Sequence, residues 1–408
     1  MQRPLRSSIL VALIASLLMC AVLPATAADG NADDNARILA GIEPRADSPL
    51  AGLTREAGWR QHARSFDAAW ASLEVRQLSK IRVWSEKNIT RHQKTMLYMF
   101  SGPDFLYANV FFPDAATYVL SGLEPVGEIP DVSRLRRGSL SGALAHIRSS
   151  LGSVMNYSFF ITRHMRGQLR SGTLTGTLPL LYVFLARSGK TITNVSLVTL
   201  DKEGMELPAG EAPAKGAPSG VKLAFAGNDG APRTLYYFST DLSDNGVSNS
   251  GFLKFCERLG AADSFIKSAS YLLHSGNFSK VRDFLLAQSA TVLQDDSGIP
   301  VRYFAPDQWK LRPFGHYVGP ISIFAGRYQS PLSNIFRRAP PIDFGVGYRW
   351  RLRESNLLLA EKTEQAALED DRSVKLVGFV GALQFVLLAE EPSKLQRRAR
   401  RASQHIRN

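Results

Sequence analysis

The feature that most constrains this chain is a set of short runs that are apolar at both odd and even positions and rich in aromatic and β-branched residues. Met96 to Phe100, Phe105 to Phe112 and Thr117 to Leu120 are such runs, separated by Ser101-Gly102-Pro103-Asp104 and by Pro113-Asp114. Gly, Pro, Asp and Ser form turns for backbone reasons, so the runs predict short strands joined by turns. A strand with one wet face alternates polar and apolar residues. A strand that is apolar at both parities needs cover on both faces, from helices or from a second sheet.

Other stretches carry the helical period. Phe66, Ala69, Trp70 and Leu73 recur at spacings of three and four, and Ile81 and Trp84 continue them, which predicts helix from Thr54 to Asn88. Leu135 to Leu169 reads as two helices meeting near Gly152 to Asn156. Gly251 to His274 reads as helix on the stripe Phe265, Ile266, Ala269, Leu272 and Leu273, and Phe278 to Gln288 as another. Two hairpins are expected. Leu180–Ala186 would pair with Thr191–Leu200 across Arg187-Ser188-Gly189-Lys190, and Val221–Ala226 with Thr234–Thr240 across Gly227-Asn228-Asp229-Gly230. Ala290–Leu293, Gly298–Phe304 and Gly315–Gln329 are strand-like, and Phe344–Leu352 with Leu357–Ala360 looks like a closing β pair. Without regular βαβ alternation, this order predicts an α+β fold, with mostly antiparallel sheet or sheets covered by helices. Its globular part spans 54–361, as one unit or as two subdomains meeting near 205–220, where Pro208 to Ser219 is a flexible loop rich in Pro, Ala and Gly.

The N-terminus points to export. Arg3 and Arg6, the apolar run Ile9 to Leu23, Pro24 and the small triplet Ala25-Thr26-Ala27 have the layout of a secretory signal peptide cleaved after Ala27, with a polar linker over 28–53. The apolar run is short for a membrane span, and so is Leu376 to Ala389 near the C-terminus, so no transmembrane span is expected in the mature chain. Cleavage removes Cys20 and leaves Cys256 as the one thiol, which excludes an internal disulfide. Cys256 shares an apolar stripe with Phe252, Phe255 and Leu259 and is expected to be a buried core residue. A plain signal peptide without a cysteine framework suits a bacterial periplasm or secretion.

That placement reinterprets the charge. The chain has 49 Lys+Arg against 36 Asp+Glu, formally +13. Two of these positive charges leave with the signal peptide, and several more, among them Arg397, Arg398, Arg400 and Arg401, sit in the tail that follows the apolar segment within 362–408. No stacking aromatics or nucleic-acid module accompany them, so nucleic acid is not expected as a partner. Outside the cytoplasm the polyanions within reach of such a tail are lipid headgroups and envelope polymers.

Several catalytic signatures fail on inspection. Gly189-Lys190-Thr191 resembles the end of a phosphate-binding loop, but Phe184 stands where the first glycine is needed. Gly138-Ser139-Leu140-Ser141-Gly142 has leucine where a nucleophilic serine would stand. The seven histidines show no metal-ligand spacing, so neither a metal nor a cofactor is expected. Two polar segments between apolar runs are the candidates. The first holds Asp104, Tyr107, Asn109 and Asp114, with Asp104 and Asp114 at opposite ends of one strand. The second is Asp295-Asp296-Ser297 followed by Arg302 and Tyr303, with His316 and Tyr317 beyond. Adjacent carboxylates repel, and burial raises the pKa of whichever is desolvated, so such a pair can divide into an acid and a base. The same Asp-Asp-Ser-Gly string is also what an ordinary turn requires.

The strings FSGPDFLYANVFFP, SGLEPVG and QDDSGIPVRYF resemble a family of uncharacterised exported bacterial proteins, over the region from the Trp59 helix to Leu359. The resemblance implies an exported folded domain and brings no activity with it. The chain is therefore expected to bind an envelope component such as a glycan or peptide near these loops, with Tyr107, Asn109, Arg302, Tyr303 and Tyr317 as contacts. Two alternatives stand beside this reading. One is a hydrolase with Asp295 or Asp296 as acid or base, Asp104 as partner and His316 as proton shuttle. The other is a structural interaction module with no catalytic site.

Overall fold

The runs that are apolar at both parities form the middle of one nine-stranded sheet. The structure, a computed structural model, describes residues 30–136, 138–159, 174–207, 216–364 and 366. The signal peptide with its cleavage after Ala27, the apolar segment 376–389 and the basic tail lie outside the described residues.

The strands are β1 (Thr95–Tyr98), β2 (Thr117–Gly122), β3 (Thr191–Thr199), β4 (Ser219–Ala226), β5 (Pro232–Ser239), β6 (Ala262–Ile266), β7 (Ser289–Gln294), β8 (Trp309–Gly315) and β9 (Asn356–Lys362). They lie in the order β3-β4-β5-β2-β1-β6-β7-β9-β8. Antiparallel ladders close both flanks, β3-β4-β5 on one side and β7-β9-β8 on the other, and they contain most of the paired residues. The five strands between, β5-β2-β1-β6-β7, run parallel. This parallel centre was not expected from the sequence, although its cause is visible there: strands buried on both faces are what parallel sheets are made of. Met96, Tyr98, Tyr118, Leu120 and Phe265 face one hydrophobic cluster, while Leu97, Val119, Ile266 and Val292 face another.

The helices cover these two faces. They are α1 (Gly30–Leu39), α2 (Ala57–Leu73), α3 (Ser79–Asn88), α4 (Phe105–Phe111), α5 (Leu140–Tyr157), α6 (Leu178–Arg187), α7 (Asp244–Val247), α8 (Phe252–Arg258), α9 (Ser279–Gln288) and α10 (Ser330–Phe336). The cluster around Tyr98 takes in residues of α1 to α6, and the cluster around Leu97 takes in residues of α7 to α10, including the buried Cys256. Helix α4 carries the chain from β1 to β2 on the first face, and α9 carries it from β6 to β7 on the second. A single sheet runs through both sides of 205–220, since β3 and β4 pair over Thr191–Thr199 and Ser219–Ala226.

Several local readings are corrected. Phe105–Phe111 is a helix, capped by Asp104, whose side chain accepts from the Tyr107 amide; Asp104 and Asp114 therefore flank a helix. Leu178–Arg187 is also a helix, buried all round, with Pro179 in its first turn. Of that expected hairpin only the strand Thr191–Thr199 survives, and it pairs with β4 instead. The stripe through Phe265 and Ile266 is strand β6, reached from α8 through Gly260 with φ +80. The segment 28–53 is not a polar linker, because α1 packs Ala36, Ile38 and Leu39 into the core. Its polar residues are acceptors for backbone elsewhere: Asp33 for the Ile192 amide at 3.0 Å and Asn35 for Val132 at 2.7 Å. The hairpin β4–β5 and helix α9 agree with expectation. The closing β pair does not form: 344–352 holds no strand, and β9 pairs with β7 and β8. Gly298–Phe304 and Gly315–Gln329 hold the 3-10 turns Val301–Tyr303 and Ser322–Arg327 where strands were expected.

Candidate functional site

Parallel strands that turn to opposite sides leave a gap above their carboxyl ends. Here β1 leads outward through β2 to β5, while its neighbour β6 leads the other way to β7. Loops leaving the tops of β1 and β6 therefore diverge, and such a switch point is where open α/β sheets bind ligands. A cavity of about 620 Å³ opens there, within the range of small-molecule sites. Its lining comes from the residues just past four strands: Ser101 and Asp104 after β1, Leu123 and Glu124 after β2, Thr240 to Leu242 after β5, and Lys267 to Ser270 after β6.

An ion pair forms its floor. Lys267 Nζ lies 2.7 Å from Asp104 Oδ2, with both side chains almost completely buried. The same carboxylate oxygen accepts from the Tyr98 hydroxyl at 3.0 Å, and the other oxygen caps α4 through the Tyr107 amide at 3.2 Å. Lys267 also donates to the Ser158 carbonyl and stands 3.7 Å above the Tyr107 ring. Burial pushes the Asp104 carboxyl up, against the pull of Lys267, and pushes the Lys267 ammonium down, against the pull of Asp104. Both effects narrow the gap in proton affinity across the 2.7 Å contact.

Lys267 begins a strained loop. Ser268, Ser270 and Tyr271 all have φ near +50, a region costly for residues with a Cβ, and Phe100 after β1 has φ +62. The QDDSG turn after β7 holds this loop in place. Asp295 Oδ2 accepts from the Ser268 amide at 2.9 Å, Ser297 Oγ from the Ala269 amide at 2.8 Å, and Asp296 Oδ2 from the Tyr271 hydroxyl at 2.5 Å. Tyr348 adds a bond to the Ser268 carbonyl at 2.9 Å. The turn is tightly packed: a Cβ at Gly347, where φ is +72, would fall 2.1 Å from Asp295 Oδ2. Burial, and then the charge of Asp296, push the Asp295 carboxyl up to about 7, while burial raises Asp296 despite its bonds from Tyr271 and Asn356. Strained backbone held by buried carboxylates is a feature that clusters at ligand and active sites.

The walls are mainly apolar and aromatic: Phe100, Phe159, Leu242, Phe278, Phe324 and Tyr348. One polar atom among them has no protein partner. The Ser268 hydroxyl oxygen is buried and unbonded among the described residues, on a strained residue of the lining. Buried hydroxyls are normally bonded, so this one is a cost carried by the strained loop.

Of the residues singled out in the sequence, Asp104 lines the cavity. Tyr107 lies beneath Lys267, and Asp295 and Asp296 stand behind the loop as its anchors. The other five do not join them. Asn109 is half-buried on α4. Arg302 is exposed and stacks on the half-buried Tyr303, Tyr317 accepts from the Gln329 amide at 2.9 Å, and His316 is exposed at the end of β8; none lines the cavity. Sequence reading missed Lys267 and Glu124. A lysine inside the apolar stretch SFIKSAS was the available signal, because a buried lysine needs a partner. Glu124 lay within SGLEPVG, a string that carried the resemblance but no candidate site.

Among the described residues no group of three His, Cys, Asp or Glu side chains is placed to hold a metal ion, and no helix is long and apolar enough to cross a membrane. No protein-family model matches the chain, and neither a curated protein nor a solved structure matches it.

Proposed function

We propose that the protein is an exported binding protein for a small amphiphilic component of the cell envelope, held in the crevice above β1 and β6. The observation that carries this reading is the division of the cavity into an aromatic wall and a polar floor. An apolar portion would rest against Phe100, Leu242, Phe278 and Phe324. A polar end would reach the Ser268 hydroxyl and the Asp104–Lys267 pair. Walls of this kind favour an acylated or peptide-like ligand over a bare glycan, whose hydroxyls would go unmet there. Export is part of the proposal and rests on the signal-peptide layout of residues 1–27 and on the resemblance to exported bacterial proteins.

A second reading has one observation in its favour. Asp104, the one sequence-predicted catalytic aspartate in the lining, shares a short contact with a lysine of lowered proton affinity, so the pair could exchange a proton with a bound ligand. Asp295, Asp296 and His316 have no place in that chemistry as the lining stands.

The test is ligand-induced stabilisation, since a molecule that binds only the folded chain must raise its melting temperature. A lysophospholipid and a hydrophobic pentapeptide are compared with an N-acetylglucosamine oligosaccharide, on the native chain and on Leu272→Trp, which places an indole in the cavity. The expected result is a rise with the lysophospholipid or the pentapeptide, absent in Leu272→Trp. A rise with the oligosaccharide alone, or an equal rise in the variant, would sink the proposal.

A further inference from the structure

The mouth of the cavity holds apolar side chains out in solvent. Leu123 and Ile323 both line the cavity, yet they are 54% and 76% exposed. The apolar rim continues from Ile323 through Phe324, whose ring lies 5.5 Å from Tyr348. Two residues further on, Trp350 packs at 5.2 Å on Tyr157, which is itself exposed. Arg349 joins this strip to the neighbouring turn by donating to the Gly319 and Pro320 carbonyls at 3.0 and 2.8 Å, beside exposed Val318. Leu352 is exposed as well. Contiguous exposed apolar groups of this kind mark an interaction surface.

The charge along this strip is mostly positive, although exposed Asp241 also lines the cavity. Residues 318–353 contain arginines 327, 337, 338, 349, 351 and 353 and a single acid, Asp343, which faces Lys80 at 4.0 Å. Arg327, Arg351 and Arg353 are exposed, and the next acid in the chain, Glu354, already sits between Arg349 at 3.2 Å and Arg351 at 3.8 Å. We propose that this rim docks on an anionic lipid bilayer. Ile323, Trp350, Leu352 and Val318 would enter the headgroup region, and the arginines would lie among lipid phosphates. Docking in this orientation turns the cavity mouth toward the membrane, where an amphiphile would enter apolar end first. The surface does not depend on what the cavity binds, so it stands or falls separately from the ligand proposal.

Co-sedimentation of the full chain with phosphatidylglycerol–phosphatidylethanolamine vesicles, against phosphatidylcholine vesicles, tests the docking. Binding to the anionic vesicles alone, weakening with salt, is expected. Each arginine near such a surface is worth about a fivefold change in partitioning, so Arg351→Glu with Arg353→Glu lowers binding by about 25-fold or more. Ile323→Asp with Leu352→Asp weakens it even at low salt. All four side chains are exposed, so the melting temperature should hold in both variants. A third variant in the full chain, Arg397, Arg398, Arg400 and Arg401 each to Gln, separates the rim from the basic tail. Rim variants that bind like the native chain, binding abolished by the tail variant alone, or equal binding to phosphatidylcholine would each overturn the proposal.

Discussion

Two buried acidic regions of this protein look alike in sequence and do different work. Asp104 follows β1 and lines the cavity, where its charge is matched by Lys267. Asp295 and Asp296 follow β7, stay out of the lining, and direct their oxygens at the backbone and the tyrosine of a neighbouring loop. One carboxylate contributes to a surface that a ligand can touch, and the other two maintain the strained backbone that carries Lys267 to it. The difference teaches that a raised carboxyl pKa, present in all three, does not mark the chemistry; access to the cavity does.

The largest expected effect separates the two regions by charge. Asp104→Asn keeps a good helix cap but leaves the Lys267 ammonium buried without its partner, so unfolding in denaturant should show a loss of about 3–5 kcal/mol. Adding Lys267→Met to that variant should restore part of the loss. A double variant that is less stable still would contradict the pairing.

Next comes the anchor. Asp295→Asn turns a donor toward the Ser268 amide and should cost about 1–3 kcal/mol. It should also change the pH profile. With a folded pKa of about 7 against an ordinary value of 3.8, Asp295 holds a proton in the folded chain where the unfolded chain has lost it. Its contribution to stability is therefore full below pH 3.8 and is lost as pH rises to about 7. Asp263, pushed up to about 6 by burial, shares part of that window, so the reading is the flattening of the slope in the variant relative to the native chain. An unchanged slope would show that Asp295 ionises normally.

Tyr271→Phe, which removes the 2.5 Å bond to Asp296, should cost about 1–2 kcal/mol in the same denaturation assay. The smallest effect has the opposite sign. Ser268→Gly relieves a positive φ and removes an unbonded buried hydroxyl, so stability should rise by about 0.5–1 kcal/mol while lysophospholipid binding weakens. Stronger binding in that variant would exclude the hydroxyl as a ligand contact.

Much of the flanking structure was legible because its signals were local. The turn Gly227 to Gly230 and the alternation of Val221, Leu223 and Phe225 specify the β4–β5 hairpin, and the stripe over 278–288 specifies α9. The centre was harder. Phe105–Phe111 and Leu178–Ala186 are helices buried almost all round, and an apolar run with no wet face shows no period that tells helix from strand. The cap at Asp104 and the proline at 179 were the signals that could have decided them. The stripe at 265–273 failed for the opposite reason: Phe265 and Ile266 end a strand, Leu272 and Leu273 begin a turn of helix, and the strained loop between them imitates helical spacing. The site was legible only in part. The strings around Asp104 and Asp295 were found, but that one faces the cavity and the other stands behind it follows from strand order, which no local pattern in this chain encodes.

Backbone hydrogen exchange of the native chain with and without lysophospholipid tests the central claim most directly. If the crevice above β1 and β6 is the ligand site, protection should rise in the segments 98–104, 122–124, 240–242 and 267–272, which leave the tops of four strands, and at no comparable level elsewhere. Protection confined to the flanking strands or to the helices covering the sheet, with those four segments unchanged, would contradict it.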